Sequence, residues 1–157
     1  DQKNILGYEI ISSILTDGRN SILGRSLKED KQIVESVYSG IHPGEFGSLF
    51  IIEATLKREN LKKVENIINK LLQKLITDSN LKNKIKKAKR IVKSNYIFNL
   101  ETSSQLSYYF GNHLLWGRLN PQKELNNNFK YWEETKNLKE LIKFLLKEKF
   151  TFIAHNK

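Results

Sequence analysis

The sequence contains no cysteine and no methionine, and only two prolines and three histidines among its 157 residues. Without cysteine there is no disulfide and no thiolate metal site, and the redox compartment stays open. No stretch approaches the ~18 apolar residues that a membrane-spanning helix needs. No signal-peptide pattern is visible. Because the chain opens at Asp1 and lacks methionine, we expect a piece of a longer protein, either a cloned domain or a processed product. Acidic residues are the minority: 17 Asp plus Glu stand against 27 Lys plus Arg, a formal net charge of +10. That excess can draw nucleic acid or anionic membrane. Net charge speaks to solubility and association rather than to fold, however, and solvated lysine faces account for it.

What is present is enough for a globular fold. Apolar residues make up 39% of the chain and aromatic residues 10%, well above the composition of a disordered segment. The length fits one domain over 1–157, able to bury roughly 70% of the surface its unfolded chain exposes.

The stretch 18–37 organises the rest. Upstream of it, Ile5, Tyr8, Ile11, Ile14 and Leu15 recur at helical spacing, with Asp1 or Asn4 as the cap and Gly18 as the stop. Asn20 and Ser21 can each cap a short helix that presents Ile22, Leu23 and Leu27. At 32–41 the period changes: β-branched residues dominate, Val37 and Ile41 share one face with Ile33, and Val34 and Tyr38 take the other. Residues 48–56 form a second strand, and the intervening His-Pro-Gly-Glu-Phe-Gly (42–47) supplies the turn residues of an antiparallel hairpin. Both strands carry apolar side chains on both faces, so part of the sheet is expected to be covered on each side.

Downstream, helices are expected at 59–76, 80–100, 103–116, from Pro121, and from Thr135 or Asn137. The first of these has a continuous stripe of Leu61, Val64, Ile67, Ile68, Leu71, Leu72 and Leu75. The second turns Leu81, Ile85, Ala88, Ile91 or Val92, and Tyr96 inward. Its outer face is Lys82, Lys84, Lys86, Lys87, Lys89, Arg90 and Lys93. The third carries Leu106, Tyr109, Phe110, His113 and Leu114. Phe129, Tyr131 and Trp132 anchor the fourth, and Leu138, Leu141, Ile142 and Leu145 line the last. Residues 149–154 alternate and read as a closing strand. The layout is α+β: a small, mainly antiparallel sheet of about three strands with helices packed over it. A sheet that small leaves edges to be covered, and a leading strand is expected to be missing at its start.

The sequence holds little catalytic chemistry. His42, His113 and His155 have no His, Glu or Asp partner in a zinc-binding pattern such as His-x-x-Glu-His. Ser21, Ser36 and Ser48 lack a nucleophile elbow. Glu29 and Asp30 are adjacent and diverge on a helix, so they cannot act across one bond. Gly40, Gly44 and Gly47 serve the hairpin and not a phosphate loop. The lysines of 80–100 lack aromatic interleaving, and Tyr108, Tyr109 and Phe110 point in different directions, so neither makes a stacking platform for nucleic acid. We assign no catalytic, cofactor-binding or metal-ligating residue, and nonspecific, salt-dependent nucleic-acid binding by the basic face is kept only as a lesser alternative.

One pattern is familiar. A helix closed by Gly18, then Ser21-Ile-Leu23, Leu27-Lys-Glu-Asp-Lys-Gln-Ile33 and a strand, resembles the insulinase/pitrilysin-type zinc peptidases, in the branch of the processing peptidases. Phe46-Gly-Ser-Leu-Phe-Ile-Ile, Asn60-Leu-x-x-Val-Glu, Leu81-x-x-x-Ile-x-x-Ala-Lys89, Ser104 to Gly117, and Phe150 to His155 follow in the family's order. The resemblance implies one module of a clamshell built from repeated α/β units around an extended peptide, a metalloprotease-like half-module of the processing-peptidase type. It places zinc, held by an inverted His-x-x-Glu-His motif, in the parent's first module only. No cofactor is expected in this chain, and the fragment alone is expected to be inactive. The implied partners are sibling modules, of the same or a partner chain, and the parent's peptide substrate. In many relatives a non-catalytic module supplies an Arg and a Tyr seven residues apart. Lys28 and Glu35 occupy those positions here, so that substrate role is not transferred, and Ile22 replaces the family's usual Arg.

Overall fold

Helix α1 (Gln2–Thr16) is the hub of the molecule, and its apolar residues explain why. Leu6, Ile10, Ile11 and Leu15 are all fully buried, because strand β1 and helices α3, α5 and α6 pack around it. The computed structural model describes residues 2–18, 20–44 and 47–154. After α1 come a π-helical turn (Gly24–Asp30), β1 (Ser36–His42), β2 (Leu49–Thr55), a 3-10 turn (Arg58–Asn60) and five helices. These are α2 (Leu61–Thr77), α3 (Leu81–Phe98), α4 (Ser103–Leu115), α5 (Pro121–Tyr131) and α6 (Thr135–Lys147). The fold is α+β, mostly helical, as expected.

Local signals set most boundaries. Gly18 closes α1 at φ +77° and Gly117 ends the α4 turn at φ +68°, both conformations that side chains oppose. Thr102 and Gln105 cap α4 reciprocally, and the Asn120 side chain accepts from Lys123 N ahead of Pro121. At the start of α3, Asp78 accepts from the Asn80 N–H at 2.8 Å and pairs with Lys84 at 2.9 Å. The hydrogen bond from Lys84 and then that from the Asn80 backbone hold its carboxyl below the ordinary range.

β1 and β2 are antiparallel, with Val37 opposite Ala54, Ser39 opposite Ile52 and Ile41 opposite Phe50 on the face that meets α1. Tyr8 of α1 lies 5.7 Å from Phe50 across this contact. Four points differ from expectation. The first strand begins at Ser36, not near residue 32, because the helical segment runs on to Asp30 and Gln32 takes φ +51°. The other face of the sheet, with Tyr38 and Leu49 both more than half exposed, has no cover among the described residues.

The sheet also has two strands among the described residues, not three. Residues 149–154 are extended without a ladder partner, since the polar members of the alternation turn to α2: Lys149 donates to Asn69, and Thr151 to Glu65 at 2.8 Å. Phe150 and Phe152 are left in solvent, 81% and 83% exposed. Finally, Phe129 and Trp132 anchor α5 as expected, but Tyr131 is 40% exposed and instead receives the Lys3 ammonium 4.5 Å from its ring centre. Asp1, Arg19, Glu45, Phe46 and residues 155–157, which include parts of the expected cap, hairpin turn and closing strand, lie outside the described residues.

One long-range polar contact joins α1 to α3: the Tyr96 hydroxyl donates to Glu9 at 3.0 Å. Burial raises the Glu9 pKa, and the Tyr96 bond offsets this in part. A raised carboxyl pKa means that the folded chain holds the proton more firmly than the unfolded one. Stability therefore falls as pH climbs from the ordinary glutamate range through the raised value, and stays lower above it. Glu9→Gln keeps an acceptor for Tyr96 and removes the ionisation. The variant is expected to melt higher than the parent at pH 7 and to match it at pH 3, read by thermal denaturation at both. Equal melting at pH 7 would contradict it.

Candidate interaction surface

The structure disperses the residues that could do chemistry. His42 sits exposed at the end of β1, opposite Leu49, and His113 sits in α4 with its ring 4.5 Å from that of Tyr109. Burial, then the nearby Arg118, lower the His113 pKa against a smaller opposing pull from Glu124, so its neutral form is favoured. His155 lies outside the described residues. Ser21 is buried, and its carbonyl accepts from Arg25 N, whereas Ser36 and Ser48 are exposed. Glu29 and Asp30 are exposed, with Asp30 3.9 Å from Arg25. Lys28 and Glu35 are exposed as well, and the Glu35 N–H extends the ladder to Thr55 O at 2.8 Å. Among the described residues no three His, Asp or Glu side chains converge in a way that could hold a metal ion.

The sheet edge is better defined. Three hydroxyls fasten α1 to β1: Ser12 Oγ donates to Ser39 O at 2.7 Å, Thr16 Oγ1 and Ser39 Oγ share a bond of 2.8 Å, and Ser39 N donates to Thr16 Oγ1 at 3.2 Å. Both backbone polar groups of Ser39 are thus used by α1, which blunts β1 against an added strand at its midpoint. β2 pairs with β1 alone among the described residues, leaving its other edge without a neighbouring strand. Beside that edge runs the uncovered face bearing Tyr38, Glu53, His42 and Leu49.

The basic face of α3 is partly neutralised. Lys84 pairs with Asp78, and Lys89, whose side chain is only 14% exposed, donates to Glu133 at 2.6 Å. Lys89 also holds the Glu133 carboxyl below its ordinary range. Two of the seven cations expected to face solvent are therefore engaged within the fold.

The profile of the family described as Peptidase M16 inactive domain matches residues 1–92, which covers α1, the π-helical turn, both strands, α2 and most of α3. The chain belongs to the M16 inactive-domain family. This is the insulinase-type assignment made on the sequence, as a module that does not bind zinc. A solved structure, a protease from Helicobacter pylori, superposes with a TM-score of 0.69 at 24% identity over 90% of the chain. At that identity the likeness is one of fold. The chain spans 34% of the length of that protease. No curated protein matches it.

Within the M16 module, reading the sequence alone missed two features. The hydroxyl clasp has a faint signal, Ser12 and Thr16 spaced i, i+4 on an otherwise apolar helix. The second concerns α4. Its periodic apolar residues give no sign in the sequence of which side they take, and none of the helix's residues is buried. Tyr109 and His113 approach the body beside Leu6 and Tyr96, while Leu106, Phe110 and Leu114 are exposed.

Proposed function

We propose that residues 1–157 form one domain of a larger, multi-module zinc metallopeptidase, in which this module walls part of the peptide chamber without cutting. The observation that carries the reading is the M16 inactive-domain match over residues 1–92. The edge of β2 that has no neighbouring strand among the described residues supports it further, because an extended peptide can add to such an edge through main-chain hydrogen bonds. Zinc would reside in the parent's first module, on an upstream His-x-x-Glu-His, and sibling modules would complete the chamber.

The test uses metal analysis and peptide hydrolysis together. The 157-residue chain is expected to hold no stoichiometric zinc and to cleave no peptide, whereas the longer protein does both. One zinc per chain, tightly held by the 157 residues, would overturn the assignment. A parent without an upstream His-x-x-Glu-His would recast the module as a scaffold of an inactive homologue.

A further inference from the structure

Three polar side chains are almost fully buried among the described residues: Ser13, Ser21 and Ser39, at 3%, 4% and 1% exposure. Ser39 uses its hydroxyl in the clasp to α1. The other two hydroxyls have no hydrogen-bond partner among the described residues, and Ser13 Oγ is wholly enclosed. Buried hydroxyls without partners are uncommon in folded proteins, and each calls for an explanation. Both serines line the same cleft, where the end of α1 and the chain just after it meet the first half of α3. Its volume is about 50 Å³, several times the room that one water takes. Gly24 keeps space for the Ser21 hydroxyl, since a Cβ there would come within 2.5 Å of Ser21 Oγ.

The charges around the cleft select its ligand. Lys84 and Lys87 line it from α3, a helix with seven Lys or Arg and no Asp or Glu. Lys84 is shared with Asp78, whereas Lys87 is exposed and has no ion partner among the described residues. Asn20 adds an amide. Asp17 is the one carboxylate in the lining, and its side chain has no partner among the described residues. Ammonium groups, an amide and a hydroxyl attract an oxyanion, but a carboxylate beside them repels one that brings no proton. A phosphate group that keeps an O–H meets both conditions. Its oxygens accept from the lysines and from Ser21, and its own hydroxyl donates to Asp17. Sulfate has no proton to give near neutral pH. The phosphodiesters of a nucleic acid have none either.

We infer that this cleft is a binding site for inorganic phosphate or a phosphate monoester, held by Lys84, Lys87, Asn20 and Ser21 and told apart from sulfate by Asp17. The site lies within this one module and is independent of the peptidase reading. Amide exchange of the longer protein tests it, read by mass spectrometry on peptides covering 12–24 and 81–91. Exchange is compared in inorganic phosphate, methyl phosphate, sulfate and chloride at equal ionic strength. Inorganic phosphate or methyl phosphate is expected to slow exchange in both peptides at least ~3-fold relative to chloride, with α6 unchanged. Whichever of the two slows it more identifies the free ion or the ester as the ligand. Lys87→Gln, at an exposed position that leaves the fold intact, should weaken this effect so that about 10-fold more phosphate is needed, and Ser21→Ala should do the same. Asp17→Asn should raise sulfate to the level of phosphate. Identical exchange in phosphate and chloride overturns the proposal and leaves the cleft to water. Slowing that survives both Lys87→Gln and Ser21→Ala also overturns it, because the anion then binds elsewhere. So does sulfate that matches phosphate in the unsubstituted protein.

Discussion

Trp132→Ala is expected to cost about 3–5 kcal/mol, the range for deleting a large buried aromatic side chain. Trp132 is 1% exposed and is the bulkiest fully buried side chain in the structure. It sits where α5 hands over to α6, and its indole Nε1 donates to the Lys3 carbonyl at 2.7 Å, fixing that corner to the first turn of α1. Alanine removes the ring volume and leaves the carbonyl without its donor. At about 2–4 °C per kcal/mol for a chain of this size, the melting temperature should fall by roughly 6–20 °C. A loss below about 1 kcal/mol would mean that the ring is not packed where the structure places it.

Gly7 makes the same claim testable in a second way. An added Cβ there would come within 2.5 Å of Trp132 Cζ2 and 2.6 Å of Leu141 Cδ1. The Leu141 methyl is a flexible end that can turn aside, but the indole ring is wedged. Gly7→Ala alone is therefore expected to destabilise by about 1–3 kcal/mol through overpacking. In the Trp132→Ala background the clash is gone, and the helix preference for alanine over glycine, up to about 1 kcal/mol, should turn the effect favourable. The double-mutant cycle should show strong coupling, and additive effects would refute the contact.

These two residues show what the sequence could and could not convey. That Trp132 anchors its segment follows from an aromatic residue in a polar helix end. That Gly7 exists to admit it does not, because a glycine inside an apolar helix has the same appearance whether or not a ring lies against it. The long helices were readable to within a few residues, since α2 and α3 separate apolar from charged positions at a period near 3.6 and α5 starts at a recognisable Pro121. Strand alternation was a weaker guide. It describes 149–154 as well as it describes β2, and only the placement of a partner strand distinguishes them.

The interaction surface was legible only in part. An apolar stripe on a helix states that something covers it and not whether the cover belongs to the same chain. Hence Leu106, Phe110 and Leu114 of α4 and Leu138 and Ile142 of α6 looked alike in sequence, although the first three are exposed and the last two are completely buried. The silence about catalysis had a firmer basis. It followed from the sequence, in which no spacing of His, Glu or Asp matches a metal site.

Leu27→Ala carries the second large effect, about 2–5 kcal/mol. Its side chain is completely buried, at the centre of the π-helical turn that lies against β1. Its carbonyl accepts from the Ile33 N–H at 3.0 Å and so closes the wide turn, after which Gln32 at φ +51° swings the chain toward the strand. The buried leucine is what holds this unusual segment in place. A π-helical turn is rare and has no intrinsic preference to offset its loss, so the anchoring energy comes from packing. The neighbouring Lys28 is exposed, and Lys28→Ala should stay within about 0.5 kcal/mol of the parent. Urea denaturation of both variants checks the contrast, with the midpoint moving for Leu27→Ala and the slope unchanged if two-state behaviour holds. Amide exchange adds a spatial reading: loosening should spread to β1 and to the Ser39 clasp before it reaches α6. Equal costs at positions 27 and 28 would show that the turn is a surface feature, and the sheet would then owe its position to its contacts with α1.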